Sequence, residues 1–432
     1  MPAAAPKKHS NAYDICIIGA GMAGLYVGTE LLRMRPRLRI VIAEKYKFLG
    51  GRAMTYYGTV DGVKYQWEEG AGRISENHRL LLGLVRRHGL TLKPIPAGGI
   101  YKESGALPAE PDYFGAAMPL LLEPLERLPA ATLAGTTIRK LFQTIHGPKS
   151  LAILDRYPYR AEINTMRADL ALQVFRREMN SSTKFFVIAE GFSKLVEKLA
   201  EEFKGAGGTI LEHHEFCKFT GDAEGEFKIG KPSEGIGRAE IVIGAAKFIF
   251  AIPSVALASI PEFHDLPILK YIAMKPLLRI YAAFPLKDRE WLREIPKTVS
   301  AGPLRFIIPN SYDNASLQIS YTDSEDADLL IEMCKREGKE GLQEFIMKEF
   351  RTLFGPMKIP DPLFIQPYVW KDAVSYWLPG DYDPYEESRK ACRPIHGKPW
   401  YVCGESFSTD QCWIEGALDH SQILLGILKK GL

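Results

Sequence analysis

The chain has 432 residues, 46% of them hydrophobic and 25% charged, which leaves room for two or three domains with large cores. A formal net charge of +3 gives no reason to invoke nucleic acid or a membrane surface as a partner. The six cysteines are scattered without a CxxC pair, and Cys16 and Cys403 sit in apolar runs as packing residues, so neither a metal site nor a disulfide framework is expected.

Residues 1–11 are small and polar, with Lys7 and Lys8 and no apolar core of a leader, and are expected to form a short disordered tail. No window approaches the ~18 uninterrupted apolar residues of a membrane span, and a cytoplasmic protein is expected. Tyr13 to Ile18 is an apolar run suited to a parallel strand covered on both faces. It leads into Gly19-Ala20-Gly21-Met22-Ala23-Gly24, a GxGxxG. The first glycine allows the tight turn, the second lets backbone approach a pyrophosphate, and the third lets helix pack on strand. Ala23, Val27, Leu31 and Met34 then recur at helical spacing until Pro36, and Leu38 to Ala43 reads as the next strand. Glu44 closes it about twenty positions beyond the glycines, where a carboxylate can accept from both ribose hydroxyls of an adenosine and would repel a 2′-phosphate. Arg33, Arg35, Arg37 and Arg39 read as a solvated connection. Gly50-Gly51-Arg52 offers a second close approach of backbone with a cation beside it, suited to a diphosphate, and the next segment reads as a hairpin with turns at Gly58 and Asp61-Gly62.

With these motifs the sequence resembles the flavin amine oxidases, a family that includes monoamine, polyamine and L-amino acid oxidases. The resemblance implies FAD along Gly19, Gly21, Met22, Ala23, Gly24, Glu44, Lys45, Gly50, Gly51 and Arg52. Trp67 to Ile74, followed by Asn77-His78-Arg79, is similar to the segment of L-amino acid oxidases in which Gly70, Ala71 and Gly72 would line the flavin ring and Arg73 would grip the substrate carboxylate. A planar guanidinium suits that task, because two parallel donors fix both the distance and the angle of a carboxylate.

Leu80 to His88 has helical spacing ended by Gly89, and Thr136 to Gln143 and Arg167 to Met179 also read as helices. Residues 105–183 are expected to form a helical insertion over the active site, in which the aromatic and basic residues of Arg156 to Arg160 have two readings, a face of a substrate channel or, ahead of it, a solvated loop. Strands are expected at Thr209 to Leu211, Glu215 to Phe219 and Phe248 to Pro253, with a polar hairpin over Asp222 to Gly237. His213 and His214, adjacent in a strand, would point to opposite faces and make a poor metal pair. A second sheet is expected from Leu277 to Pro285, Leu304 to Asn310 and Leu317 to Thr322. Arg279 aligns with a family lysine that assists the oxygen reaction, and Ile308 lies near the place of a carboxylate-binding tyrosine. Lys275 shares a strand face with Arg279 but lies about 13 Å away. Tyr376 and Trp377 precede Pro379-Gly380, and no cysteine occurs in Trp370 to Gly380, so the resemblance implies FAD held without a covalent link.

Near the end, Gly404-Glu405 and Trp413-Ile414 to Ala417 resemble the family's second FAD fingerprint. Glu405 would accept from a ribitol or ribose hydroxyl, Trp413 would wall the substrate, and Ile414 and Ala417 would open a helix facing the flavin. The fold class implied is α/β: a Rossmann-like FAD-binding domain (12–75, 184–262, 395–432), a mixed-sheet substrate domain (76–104, 263–394) and the helical insertion. The function implied is oxidative deamination of an L-amino acid to a 2-oxo acid, ammonia and hydrogen peroxide, with molecular oxygen as co-substrate and catalytic roles for Arg73, Trp413, Arg279 and Tyr376. Three alternatives stay open. They are an amine or polyamine oxidase whose only nearby acids are Glu68, Glu69 and Glu76, a dehydrogenase or desaturase without fast oxygen reactivity, and a non-catalytic flavin-binding scaffold. A homodimer is compatible with the sequence, though no residue argues for it.

Overall fold

A computed structural model describes residues 7–95, 98–103, 110–111, 113–178, 183–230 and 239–430. Lys7–Ile18 (β1) runs parallel to Ile40–Ala43 (β2) on one side and Ala239–Phe250 (β3) on the other. Thr209–Leu211 lies outside β2 and Trp400–Val402 beside the end of β3, both parallel, and the hairpin His214–Gly221/Glu224–Ile229 extends the sheet antiparallel from β3. Ile15 and Ile17 enter one core while Cys16 and Ile18 enter another on the opposite face. Two-sided burial is why the run is apolar without alternation.

The expected tail ends earlier than residue 11. Lys7, Lys8 and His9 pair with Ile241, Val242 and Ile243, because a long partner strand offers hydrogen bonds to extended backbone whatever its side chains are. His213 sits in a turn at φ 59° rather than in a strand. The hairpin expected over 222–237 turns at 222–223, and 231–238 lie outside the described residues.

Met22–Met34 (α1) follows β1, and Gly28 lets the helix Phe192–Gly205 approach so closely that a Cβ would stand 2.8 Å from Phe203. The hairpin Thr55–Val60/Val63–Glu68 turns at Asp61 and Gly62, both at positive φ. Gly58, expected at a turn, instead lies inside the first strand opposite Tyr65; a Cβ there would meet the Tyr56 hydroxyl at 2.0 Å. Arg79–Arg87 (α2) has its first N–H groups satisfied from afar, Leu80 and Leu81 each donating to the Glu415 carboxylate at 2.8 Å.

Within 105–183 the described residues form a short strand, Glu110–Pro111, and the helices Tyr113–Glu126, Ala130–Ala134, Ile138–His146, Leu151–Leu154, Arg160–Asn164 (α3) and Ala168–Glu178 (α4). A second sheet contains Ile272–Ala283 (β4), Phe306–Ser311 (β5), Ser316–Asp323 (β6) and Phe364–Trp377 (β7), in the order β7-β4-β6-β5. Those pairs are antiparallel; Thr298–Ser300 runs parallel to Ile100–Lys102 at the far edge, which makes the sheet mixed. Ser324–Phe354 (α5), broken at Gly338, covers one face. The chain returns to the first sheet as Ile414–Leu428 (α6), packed against α1 and α2. No described helix is long and apolar enough to cross a membrane.

Candidate active site

The ends of β1, β2 and β3 open into a cavity of about 720 Å³ that also reaches β4, β6, β7 and the starts of α1 and α6. That size falls within the usual range for small-molecule sites. Its first wall is backbone. A Cβ on Gly24 would stand 2.0 Å from the Gly19 carbonyl oxygen, so the third glycine of the motif is required by the turn itself. Gly50 N donates to the Ala20 carbonyl at 2.8 Å, tying the second glycine turn to the first. At Gly21 and Gly404 nothing lies within 4 Å of where a Cβ would be, so backbone at those positions borders open cavity. The Gly21 N-cap offers no side chain to α1, which leaves the N–H groups at Met22 and Ala23 available beside the cavity. Glu44 accepts from Ala20 N at 2.8 Å and Tyr46 N at 3.0 Å, and each oxygen keeps a second lone pair. Burial pushes its pKa up while those N–H groups pull it down. Lys45, also in the wall, lies over Tyr46. Open glycine backbone, an uncapped helix start and an acid at the strand end fit the extended dinucleotide that the sequence predicts.

Two expected contacts differ. The Glu405 carboxylate accepts from Arg52 at 2.9 Å, Ser375 N and Oγ at 3.2 Å, and Cys412 N at 2.8 Å. These donors fill its acceptor directions, so Glu405 acts as a clasp rather than as the free acceptor expected for a ribitol or ribose hydroxyl. Arg52, expected as a cation for a diphosphate, is balanced by that clasp and also donates to the Ala373 carbonyl. Gly70 lies against Arg52, where a Cβ would meet the Arg52 carbonyl oxygen at 2.0 Å, and Ala71 N donates to the same oxygen at 2.9 Å. Trp413 is the N-cap of α6 without a capping side chain, and Ile414 and Ala417 line the cavity beyond it.

The other end of the cavity is made of side chains. The Arg73 guanidinium lies 4.7 Å from the Phe185 ring centroid and 5.3 Å from that of Trp413, and it forms no salt bridge among the described residues. Burial opposes its charge, but the Tyr159 and Tyr321 oxygens and the Glu178 charge more than offset this and push its pKa up. These tyrosines supply the hydroxyls that Ile308, partly buried beside Phe306, does not. Trp413 meets His78 edge-on at 4.7 Å. His78 Nδ1 accepts from Ser75 N at 3.2 Å, which puts the proton of the neutral ring on Nε2, facing Glu178 at 3.7 Å. Burial, with the Arg177 and Arg73 charges, lowers His78 to about 3 and keeps it neutral.

Arg279 does line the cavity. It lies 4.8 Å over the Tyr321 ring, bonds to the Tyr281 hydroxyl at 3.4 Å, and presses on Gly72, where a Cβ would stand 2.4 Å from its guanidinium. Lys275, opposite Val374 on the same strand, is outside the described cavity wall. Tyr376 is in the wall, its hydroxyl pushed well above the usual range by burial.

The acids are not those expected from sequence. Glu68 is occupied by Thr55 Oγ1 at 2.7 Å and Phe192 N at 3.2 Å, Glu76 accepts from Lys184 N at 3.0 Å, and neither these nor Glu69 line the cavity. Glu162 from α3 and Asp323 at the end of β6 line it instead. Burial lifts Glu162 to about 7, and burial followed by the Glu162 charge raises Asp323. The segment read as a solvated loop is part of this wall: Tyr157 is buried, Tyr159 lines the cavity, and Arg160 is held by Asp155 at 3.0 Å and Asp326 at 3.3 Å. Two patterns could have found the acids. Glu162 has a single apolar neighbour on each side, Ala161 and Ile163, and Asp323 shares the alternation of Ile319 and Tyr321.

The model of the flavin containing amine oxidoreductase family matches residues 22–422. An L-amino-acid oxidase of Echis ocellatus is 34% identical over 88 residues, which span 20% of this chain and 16% of that protein. Solved structures of putrescine oxidase share the fold. One engineered variant superposes with a TM-score of 0.74, and the wild type bound to putrescine with 0.71, each at 15% identity over 98% of this chain and 100% of theirs.

Proposed function

Because the chain belongs to the flavin-containing amine oxidoreductase family, we propose that it is an FAD-dependent L-amino acid oxidase. The observation that carries this reading is Arg73: a cation in the cavity wall, near two aromatic rings, with tyrosine hydroxyls beside it and no salt bridge to a carboxylate among the described residues. A substrate carboxylate supplies the missing anion. A flavin held along Gly21, Glu44 and Gly404 would supply a hydride acceptor for Cα and a route for the two electrons to oxygen as hydrogen peroxide.

The protein's own contribution is placement. Arg73 fixes the carboxylate through two parallel donors, and Phe185 and Trp413 keep the guanidinium plane from turning. His78 braces Trp413 from behind. Substrate held in one orientation at a closed wall can gain several kcal/mol from entropy already lost at binding. The imine product leaves to be hydrolysed to a 2-oxo acid and ammonia. The open glycine backbone at Gly21 and Gly404, with the uncapped starts of α1 and α6, supports FAD as the form of flavin. Non-covalent attachment is supported by the segment Trp370 to Gly380, which contains no cysteine.

A second reading, oxidation of a diamine lacking a carboxylate, is favoured by Glu162 and Asp323 in the wall. A third, dehydrogenation without rapid oxygen turnover, is favoured by the guanidinium of Arg279. Anaerobic mixing separates them. Bleaching of the yellow protein by amino acids and not by diamines supports the first; bleaching by diamines alone supports the second; bleaching by amino acids with slow recovery in air supports the third. No bleaching by either class points to a scaffold.

A further inference from the structure

The cavity has an unanswered negative end as well as a positive one. Glu162 is 6% exposed, and although the Tyr376 hydroxyl bonds to its carboxyl group, its Oε2 has no hydrogen-bond partner among the described residues; Asp323 is met by Ser324 and the Ala161 backbone, while its Oδ1 is buried and unpartnered. Neither carboxylate forms a salt bridge among the described residues, although Arg73 is near enough for its charge to act on Glu162. Asp323 holds the N-cap position of α5, at φ −130° and ψ 169°, where an aspartate normally accepts from the next turn's N–H groups. Its side chain makes no such bond, and the residue after it, Ser324, is held at φ 50°. Backbone strain and a forgone cap accompany an acid turned into the cavity, where Tyr321 and Tyr376 sense both carboxylates.

A buried acid beside a half-buried one, neither in a salt bridge among the described residues, holds its proton rather than its charge, since burial and the neighbouring acid both disfavour ionisation. A ligand cation would restore the charge and pair with it. A diamine would answer both acids and leave Arg73 with no anion and a cation nearby. A neutral amino acid would answer Arg73 and leave both acids unpaired. One class of molecule answers both ends.

We propose that the substrate is a diamino monocarboxylic acid, such as L-lysine or L-ornithine, whose α-carboxylate pairs with Arg73 while Glu162 and Asp323 together receive the ammonium at the end of its side chain. The assignment rests on the amino-acid reading above and adds the side chain to it.

The test needs no turnover. Calorimetric titration of the flavin-loaded protein with ε-aminocaproate and with caproate compares two acids that differ only in the terminal ammonium. Binding of ε-aminocaproate on the order of 100-fold tighter supports the assignment, because a site built for a polar group rejects the analogue that lacks it. Equal binding overturns it. In anaerobic bleaching, L-lysine should outpace L-norleucine, and Glu162→Gln should cut that ratio by about tenfold or more, with Asp323→Asn as the second variant. L-norleucine matching L-lysine in the native protein sinks the distal cation while leaving an amino acid oxidase standing. Bleaching by putrescine and by no amino acid removes the Arg73 reading and this inference together.

Discussion

The glycine cradle at one end of the cavity and the proposed substrate end at the other are made of different materials. In the cradle, glycine backbone and the starts of α1 and α6 present N–H groups and open space. The substrate end instead gathers Arg73, Tyr159, Glu162, Tyr321, Asp323 and Trp413 from distant parts of the chain. A ligand met by backbone depends on spacing and tolerates few substitutions at the glycines. A ligand met by side chains depends on charge, which can be edited one residue at a time.

The widest separation between the two regions should come from Gly24→Val. The turn has no room for even a Cβ, so flavin retention should fall at least about 100-fold, read as the ratio of flavin to protein absorbance; a yellow variant would break the backbone account. Arg73→Ala should leave the protein yellow. It should lower kcat/KM for an amino acid by about 100- to 1000-fold and change that for the corresponding decarboxylated amine far less. Similar losses on both substrates would refute the clamp.

Acidity sharpens the contrast further. Glu162 has its folded-state pKa raised from 4.5 to about 7, so its proton favours the fold. That contribution is fully present below 4.5 and is lost as pH rises through about 7. The protein should therefore lose thermal stability between about pH 5 and 8, and Glu162→Gln should flatten the loss by at most about 3 kcal/mol. Some slope should remain, because burial also lifts Glu68 and Glu415 to about 7. An unchanged slope in the variant would mean that Glu162 is not the buried acid described. The smallest effect concerns Arg279→Lys, which should speed reoxidation of the reduced protein by oxygen several-fold in stopped flow. An unchanged or slower rate would free Arg279 from any part in oxygen handling and leave it a packing partner of Gly72.

Legibility followed the same division. The cradle could be read because a phosphate-binding turn needs glycine at fixed intervals between strand and helix, and Gly19 to Gly24, Glu44 and Gly50-Gly51 carry those intervals in one short stretch. Arg73 and Trp413 were legible through their neighbours in family-like segments. Glu162 and Asp323 were not, because local alternation marks an acid among buried neighbours at Asp323 but cannot show that α3 lies at the end of β6 and brings both acids to one cavity. The misread edges have local causes too. The polar start of β1 hid a backbone pairing with β3, and the fully occupied carboxylate of Glu405 could be recognised only with Arg52, Ser375 and Cys412 in place around it.

The clasp between Arg52 and Glu405 joins residues separated by 353 positions, and α6 supplies the wall beside it. On a ribosome, Gly19 to Arg52 emerge long before either. A nascent chain therefore carries one part of the cavity wall without the other throughout most of its synthesis, and the cavity is complete only after translation has passed α6.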